Sequence, residues 1–414
     1  MISNWFFIFF VACFSIHEFI ETGLTLLNRT YTRRHANTIP SFFRDKTTTA
    51  EYAKSISYTL DKEKFALVTR LFNIVFLWGL ILLGFFETAN EWVERWISTG
   101  LLHSLIYCFL FGFVFLIIGI PFSLYSHFVI EKKYGFNKMT LVTFLNDQLK
   151  TIFLSLLFGI PLLAGLFWFY QAAGKGWWLY AVLAVFGFEI LVAAIYPVFL
   201  APLFNKFTPL EEGELKSGIL NIAKKIGFKL SGIYTIDGSK RSSHSNAYFA
   251  GLGRWRRIVL FDTILKQMNQ REILAVLGHE MGHNIKRHVQ KQLIVSFIIS
   301  CATFWVLSLL INWSPFYSAF NAGLPAPQKA LVLMALFSGV FTFWLPPFTN
   351  YLSRKYEYEA DRFSVETVCD PEAMKSSLVK LSKENLSNLT PHPLYSFYHY
   401  THPTTLDRIK ALKS

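Results

Sequence analysis

The run His279-Glu280-Met281-Gly282-His283 sets two imidazoles four residues apart with a carboxylate between them. On a helix such residues lie about 40° apart around the axis and one turn up, so both rings reach one metal ion. Glu280 is displaced around that helix, toward a water bound to the ion. Imidazole nitrogens suit zinc, and a carboxylate beside zinc-activated water is the chemistry of hydrolysis. The plain alternative is a pair of surface histidines. It is outweighed because the segment reads as a helix that follows a strand. Two ligands do not hold a catalytic zinc, which takes three protein groups and keeps one position open. The stretch from Ser353 to Asp361 offers the third. Glu357 and Asp361 are four apart and point the same way on a helix. Glu357 is assigned as a ligand, and Asp361 as the acceptor for the outer N–H of a ligand imidazole. Glu359 is the local rival, but it lies about 200° round the helix from Glu357, so both cannot face the ion. One zinc per chain is expected.

The motif sits in the more polar of two kinds of sequence. Glu211 to Ile226 reads as a helix opened by Thr208-Pro209. Ile233 to Ile236, Asn246 to Ala250 and Arg257 to Phe261 read as short strands, the second ended by Gly251 and Gly253. Asp262 is expected to cap a helical turn, and Gln270 to Lys286 forms the motif helix, with Ile273, Leu274 and Leu277 on one side. The rest is long apolar blocks. The chain has 414 residues, 53 % of them apolar and only 16 % charged. That balance excludes disorder, collagen and a small disulfide scaffold. Cys13, Cys108, Cys301 and Cys369 form no Cys-x-x-Cys pair, which argues against disulfides and a thiolate metal site.

Seven blocks match the roughly 20 residues that a helix needs to cross a bilayer. Their cores are Trp5 to Leu26, Ala66 to Phe86, Leu101 to Leu124, Thr151 to Phe169, Trp177 to Leu200, Leu293 to Ile311 and Ala330 to Leu352. The first lacks Lys and Arg in its leading residues and carries His17, Glu18 and Glu21, so it reads as a retained helix rather than a signal. Lys and Arg number 8 in residues 27–65, 4 in 125–150, 15 in 201–292 and 9 in 353–414, against single residues in the other connections. This alternation places the amino terminus outside and the carboxyl terminus and active site in the cytoplasm. It also accounts for the net charge of +13 without nucleic acid. The polar groups His17, Glu18, Glu21, Arg70, Asn73 and Glu189 lie at membrane depth, where they pair between helices or face a wet cavity. The expected organisation is a five-span membrane part over residues 1–205, then a peptidase part over 206–414 interrupted by spans near 293–311 and 330–352.

Further runs carry a family resemblance: Glu131 to Asn137, Tyr196 to Thr208, His244-Ser245-Asn246-Ala247-Tyr248-Phe249, and His402-Pro403 followed by Arg408. With the zinc motif and Glu357 to Asp361, they make the chain resemble the integral-membrane zinc metallopeptidases of the Ste24, or CAAX prenyl protease 1, type within the M48 group. The resemblance implies a multi-span α-helical membrane protein. Seven helices would enclose an intramembrane chamber, with a small α+β zincin-like domain on the cytoplasmic side. It implies zinc on His279, His283 and Glu357, Glu280 as base, and late His and Arg roles on His402 and Arg408. It also implies peptide or protein substrates, some prenylated at the carboxyl terminus. His402 is the candidate donor to the oxyanion, and Arg408 the partner of a site carboxylate. Asn246, Ala247 and Tyr248 lie on an expected edge strand that an extended peptide would join. His244, His288 and His392 are read as structural or solvated. The chain is expected to act as a monomer in the lipid bilayer. Its length, short of the animal members, points to a bacterial homologue in the inner membrane, or to the endoplasmic reticulum membrane were the source eukaryotic. The alternatives are a bacterial quality-control protease without prenylated substrates, a seven-span transporter and an inactive zinc scaffold.

Overall fold

The computed structural model describes residues 4–251 and 256–412. Gly253, expected at a strand end, and the terminal residues Met1 and Ser414, which the expected topology places on opposite sides, lie outside them. Among the described residues, six helices are long and apolar enough to cross a membrane, and one bent pair makes a seventh if it counts as a single span. The six are Trp5–Arg34, Thr49–Leu82, Leu101–Tyr134, Leu141–Ala172, Gly174–Phe204 and His288–Leu310. Large apolar side chains such as Phe19, Leu82, Val142 and Leu183 remain exposed on them, as a lipid-facing surface requires. Their inner faces contribute Phe10, Tyr107 and Trp177 to an aromatic core that also takes Phe86, Phe320 and Phe337 from outside these six helices.

Five of these helices, at 30 to 34 residues each, outrun the bilayer. Thr49–Leu82 opens on a capping box, with the Thr48 hydroxyl accepting from the Glu51 N–H and Glu51 accepting from the Thr48 N–H. Its 34 residues span about 51 Å at 1.5 Å per residue, some 20 Å more than the hydrocarbon. Its first turns therefore stand clear of the membrane and wall the polar domain. The third span likewise continues from Leu101–Tyr125 through a wide π-type turn at Ser126–Glu131.

The last span departs from the expected continuous helix over 330–352. Pro327–Thr342 and Pro346–Val368 meet at a bend of 74°. Pro346 and Pro347 cannot donate backbone hydrogen bonds, so the i to i−4 ladder is interrupted there and the run is broken. The helix bearing Glu357 thus starts within the apolar block and turns away from the span's axis. A second correction concerns the motif helix. It ends at Ile285, and Arg287 takes the left-handed conformation (φ 58°) before the membrane helix starts at His288 rather than Leu293. The two are not one continuous rod.

The polar domain contains a four-stranded mixed sheet in the order β1-β2-β4-β3. The strands are β1 (Phe207–Pro209), β2 (Gly232–Ile236), β3 (Ala247–Ala250) and β4 (Arg257–Phe261). β2 and β4 pair in parallel, while β1 joins β2 and β3 joins β4 antiparallel. Residues 207–209, expected to open a helix, instead form β1, and that helix starts at Glu214. Asp262 is the first residue of its helix and Phe261 the cap. β4 is buried on both faces through Ile258, Val259 and Leu260, as a central strand rich in β-branched residues should be. Ile273, Val276, Leu277 and Met281 of the motif helix pack with Ile258 and Leu260 in one apolar cluster, which anchors the helix on the sheet.

Candidate metal centre and active site

The motif helix is held at both ends of its polar load. Asn269 caps it and Glu272 completes a capping box. Glu272 is buried and accepts from Lys380 Nζ at 2.7 Å and Ser376 Oγ at 2.6 Å. Against this helix lies Pro346–Val368. Gly278 and Gly282 let the two approach closely. A Cβ on Gly282 would stand 3.1 Å from the Ala360 Cα and 3.2 Å from its carbonyl oxygen. One on Gly278 would stand 2.8 Å from Val368 Cγ2 and 2.9 Å from Ser364 Oγ. The close approach brings Glu357 under the two imidazoles. Gly282→Val is expected to push the carboxylate helix away, at a cost of about 1–3 kcal/mol of overpacking. A lowered thermal midpoint together with reduced metal content in the purified protein would show it; unchanged values for both would mean that the helices have slack.

His279, His283 and Glu357 form one cluster whose ligand atoms all lie within 4.8 Å of one another. The two Nε2 atoms are 3.1 Å apart. Glu357 Oε1 stands 3.2 Å from His283 Nε2, and Oε2 stands 3.4 Å from His279 Nε2. Two imidazole nitrogens and a carboxylate at these separations converge on one point, as ligands of a single cation do. Glu357 Oε2 is also buried with no hydrogen-bond partner among the described residues. Two imidazoles and a carboxylate, with a carboxylate oxygen left over, are the donor set that suits zinc.

Around this cluster the other expected residues take distinct places. Asp361 Oδ1 lies 2.7 Å from His279 Nδ1. Arg408 donates to both Asp361 oxygens, from Nε at 2.8 Å and Nη2 at 2.5 Å, and its Nη1 is 3.5 Å from Glu357 Oε2. His402 Nε2 is 3.3 Å from Glu357 Oε1, and the ring stays 62 % exposed because it stands in the wall of an open cavity. Glu280 has no hydrogen-bond partner among the described residues, and it borders a cavity of about 290 Å³ with Asn246, Ala247, His279, Glu357, His402 and Arg408. Burial pushes its carboxyl above the usual carboxylate range, only partly opposed by the nearby histidines. Burial alone would lower His279, but its hydrogen bonds to Asp361 and Glu357 hold it at about 9. Desolvation by the protein around the cavity takes His402 below the ordinary imidazole value, although its ring opens onto that cavity.

β3 is an edge strand. Asn246, just before it, accepts from the Phe261 N–H and is exposed toward the cavity. Tyr248 lies on β3 with its ring 6.3 Å from that of Phe261. His244 stacks on Phe136 at 3.8 Å and meets Asn385 and Glu131. His288, read from sequence as structural or solvated, is buried beside His283. The site cavity shares Leu378, Asn385 and His402 with one of about 860 Å³. That one shares Lys62 and Ala66 with a third of about 610 Å³, bordered by Glu18, Arg70 and Asn73. Arg70 binds Glu18 at 3.1 Å and Glu21 at 2.7 Å, whereas Glu189 accepts from Ser296.

Comparison with known proteins agrees along the whole chain. Residues 28–206 match the family model for the CAAX prenyl protease N-terminal region with five membrane helices, and residues 209–414 match Peptidase family M48. A CAAX prenyl protease 1 homolog from Arabidopsis thaliana is 36 % identical over 95 % of this chain and 94 % of its own length. One from Dictyostelium discoideum is 33 % identical over 97 % and 96 %, and CAAX prenyl protease 1 of Saccharomyces cerevisiae is 33 % identical over 97 % and 94 %. The crystal structure of S. mikatae Ste24p superposes with a TM-score of 0.89 at 32 % identity, covering 99 % of this chain and 98 % of that one. These relatives are eukaryotic and of nearly the same length, so the chain's length does not mark it as bacterial, and the expected bacterial inner membrane loses its ground. The chain is a multi-pass membrane protein that belongs to the M48 zinc metallopeptidase family, of the CAAX prenyl protease 1 (Ste24) type.

Proposed function

We propose that the protein is a zinc endopeptidase acting on extended, membrane-associated or carboxyl-terminal polypeptide segments, with one zinc held by His279, His283 and Glu357. The observation that carries this reading is the convergence of two Nε2 atoms and a buried carboxylate oxygen beside an unpaired carboxylate, Glu280. Zinc, when bound there, supplies a Lewis acid for the scissile carbonyl and lowers the pKa of water. Glu280 takes the proton of the attacking water and returns it to the leaving amine nitrogen. His402 donates to the oxyanion that forms on the carbonyl oxygen. Asp361 accepts the outer N–H of His279 and fixes its ring, and Arg408 holds Asp361 in place. The peptide lies extended beside β3, near Asn246, and adds to the sheet edge. Residues 1–205 serve as the membrane part and 206–414 as the peptidase part, with the linked cavities forming a polar chamber among the helices.

Relatives named as CAAX prenyl proteases favour prenylated tails as substrates. The deciding experiment measures cleavage of one peptide with and without a prenyl group, beside an unfolded protein. A strong preference for the prenylated form supports a dedicated tail protease; equal rates support a general quality-control role. His402→Ala is expected to lower kcat about 10²-fold with KM nearly unchanged, since the lost donor acts on the transition state. A change in KM alone would remove His402 from that role.

The charge pattern assigns the site to the cytoplasmic side. In a Cys369→Ser background, single cysteines at Glu94 and Leu324 are expected to label from outside intact cells, and one at Glu212 only after permeabilisation. Labelling of position 212 from outside inverts the topology.

A further inference from the structure

We propose that His288 and Glu359 are positioning residues that orient His283 for metal binding through a one-way hydrogen-bond relay. The inference rests on the metal site proposed above and adds to it the support of its second imidazole. His283 turns Nε2 inward to the cluster, which leaves Nδ1 facing out. That Nδ1 lies 2.9 Å from Nδ1 of His288. His288 Nε2 in turn lies 3.1 Å from Glu359 Oε2.

The proton positions follow from the chemistry of the three groups. A carboxylate only accepts, so His288 Nε2 carries the proton and donates to Glu359. A neutral His288 then offers Nδ1 as acceptor, and His283 Nδ1–H donates to it. The remaining nitrogen of His283, Nε2, is left with a free lone pair directed at the cluster. The relay therefore selects the one tautomer that can bind a metal. Asp361 does the same for His279 by direct contact at 2.7 Å. Each ligand imidazole thus ends on a carboxylate, one directly and the other through an intervening ring.

The surrounding structure holds the relay in place. His288 is 1 % exposed, and its ring stacks on Tyr356 at 4.4 Å and 13°. Tyr356 directly precedes Glu357, so the stack ties the relay to the third ligand's helix. In an unbroken helix His288 would lie about 140° around the axis from His283 and could not meet it. The left-handed Arg287 breaks the helix and returns the ring to the motif.

The test compares full-length wild type, His288→Phe and Glu359→Ala. Phenylalanine keeps the stack on Tyr356 and removes both nitrogens. Zinc content, zinc loss to a chelator and the thermal midpoint of the chelator-stripped protein are measured, with the visible spectrum of cobalt-loaded protein as a report on the ligand field. Both variants are expected to lose zinc about 10–100-fold more readily than wild type. The stripped midpoint should stay near that of the stripped wild type, and Glu359→Gln, which keeps an acceptor, should restore part of the affinity. Wild-type zinc affinity and cobalt spectrum in His288→Phe would overturn the relay. If His288→Phe does not fold, the same result in Glu359→Ala, where the side chain is partly exposed, overturns it equally. A lowered stripped midpoint with unchanged affinity would assign the residues to packing alone, and also overturn it. Wild type without zinc would instead count against the metal site itself, which separates the two failures.

Discussion

Glu280→Gln is expected to keep its metal and its fold while losing roughly 10³-fold in turnover, within the range of about 10²–10⁴ for removal of a general base. The amide has the same shape and cannot accept the proton of the attacking water. Glu280 has no hydrogen-bond partner among the described residues, so the substitution breaks no structural contact. Its position beside His279 on the helix keeps it out of the triangle formed by His279, His283 and Glu357. Elemental analysis, a thermal midpoint and kcat on a peptide distinguish these effects. Strong activity in this variant would refute the assignment of the base. Glu357→Ala should differ in kind, because it deletes a direct ligand and metal is lost first. Its loss should exceed that of Glu359→Ala, which acts only through His288; the reverse order would mean that the wrong carboxylate carries the metal.

Local signals made the centre of this site readable before any coordinates. The motif helix, β2, β4 and the membrane helices follow from periodicity, β-branched runs and length, which depend on neighbours in sequence. The His279, His283 and Glu357 cluster needs one additional step, the idea that a third ligand lies beyond a membrane hairpin. What escaped depends on single backbone conformations. Pro346-Pro347 did mark the bend in the last span, but the apolar run around it looked continuous, and mean hydropathy has no term for a missing N–H. Arg287 is an ordinary helix former, so nothing in its type announces a left-handed residue. Without that turn His288 points away from the motif, which is why spacing alone left it as structural or solvated. β1 was hidden for a related reason. Its three residues contain Thr208-Pro209, a helix-start signal, and only pairing with β2 makes them a strand.

A disulfide-locked globular protein should pass through the assay with its internal bonds intact, and the same protein, reduced, alkylated and unfolded, should be cut at those bonds. The reason lies in the walls of the site. The cluster faces a cavity of about 290 Å³ closed by the motif helix, the carboxylate helix, the segment Ser245–Ala247 and the tail residues His402 and Arg408. One extended strand needs only about 4.8 Å of lateral room beside β3. A folded domain would have to bring a bond of its own core to the same place. To do so it must first open locally, and intact disulfides keep that open population small. Alkylation before the assay keeps free reductant and free thiols away from the metal. The difference should appear as internal fragments from the unfolded form and none from the locked form, while a flexible tail on either is removed. Equal cleavage of both at buried bonds would mean that the site is an open surface cleft, and the chamber reading would fail even if the metal and its base were correctly assigned.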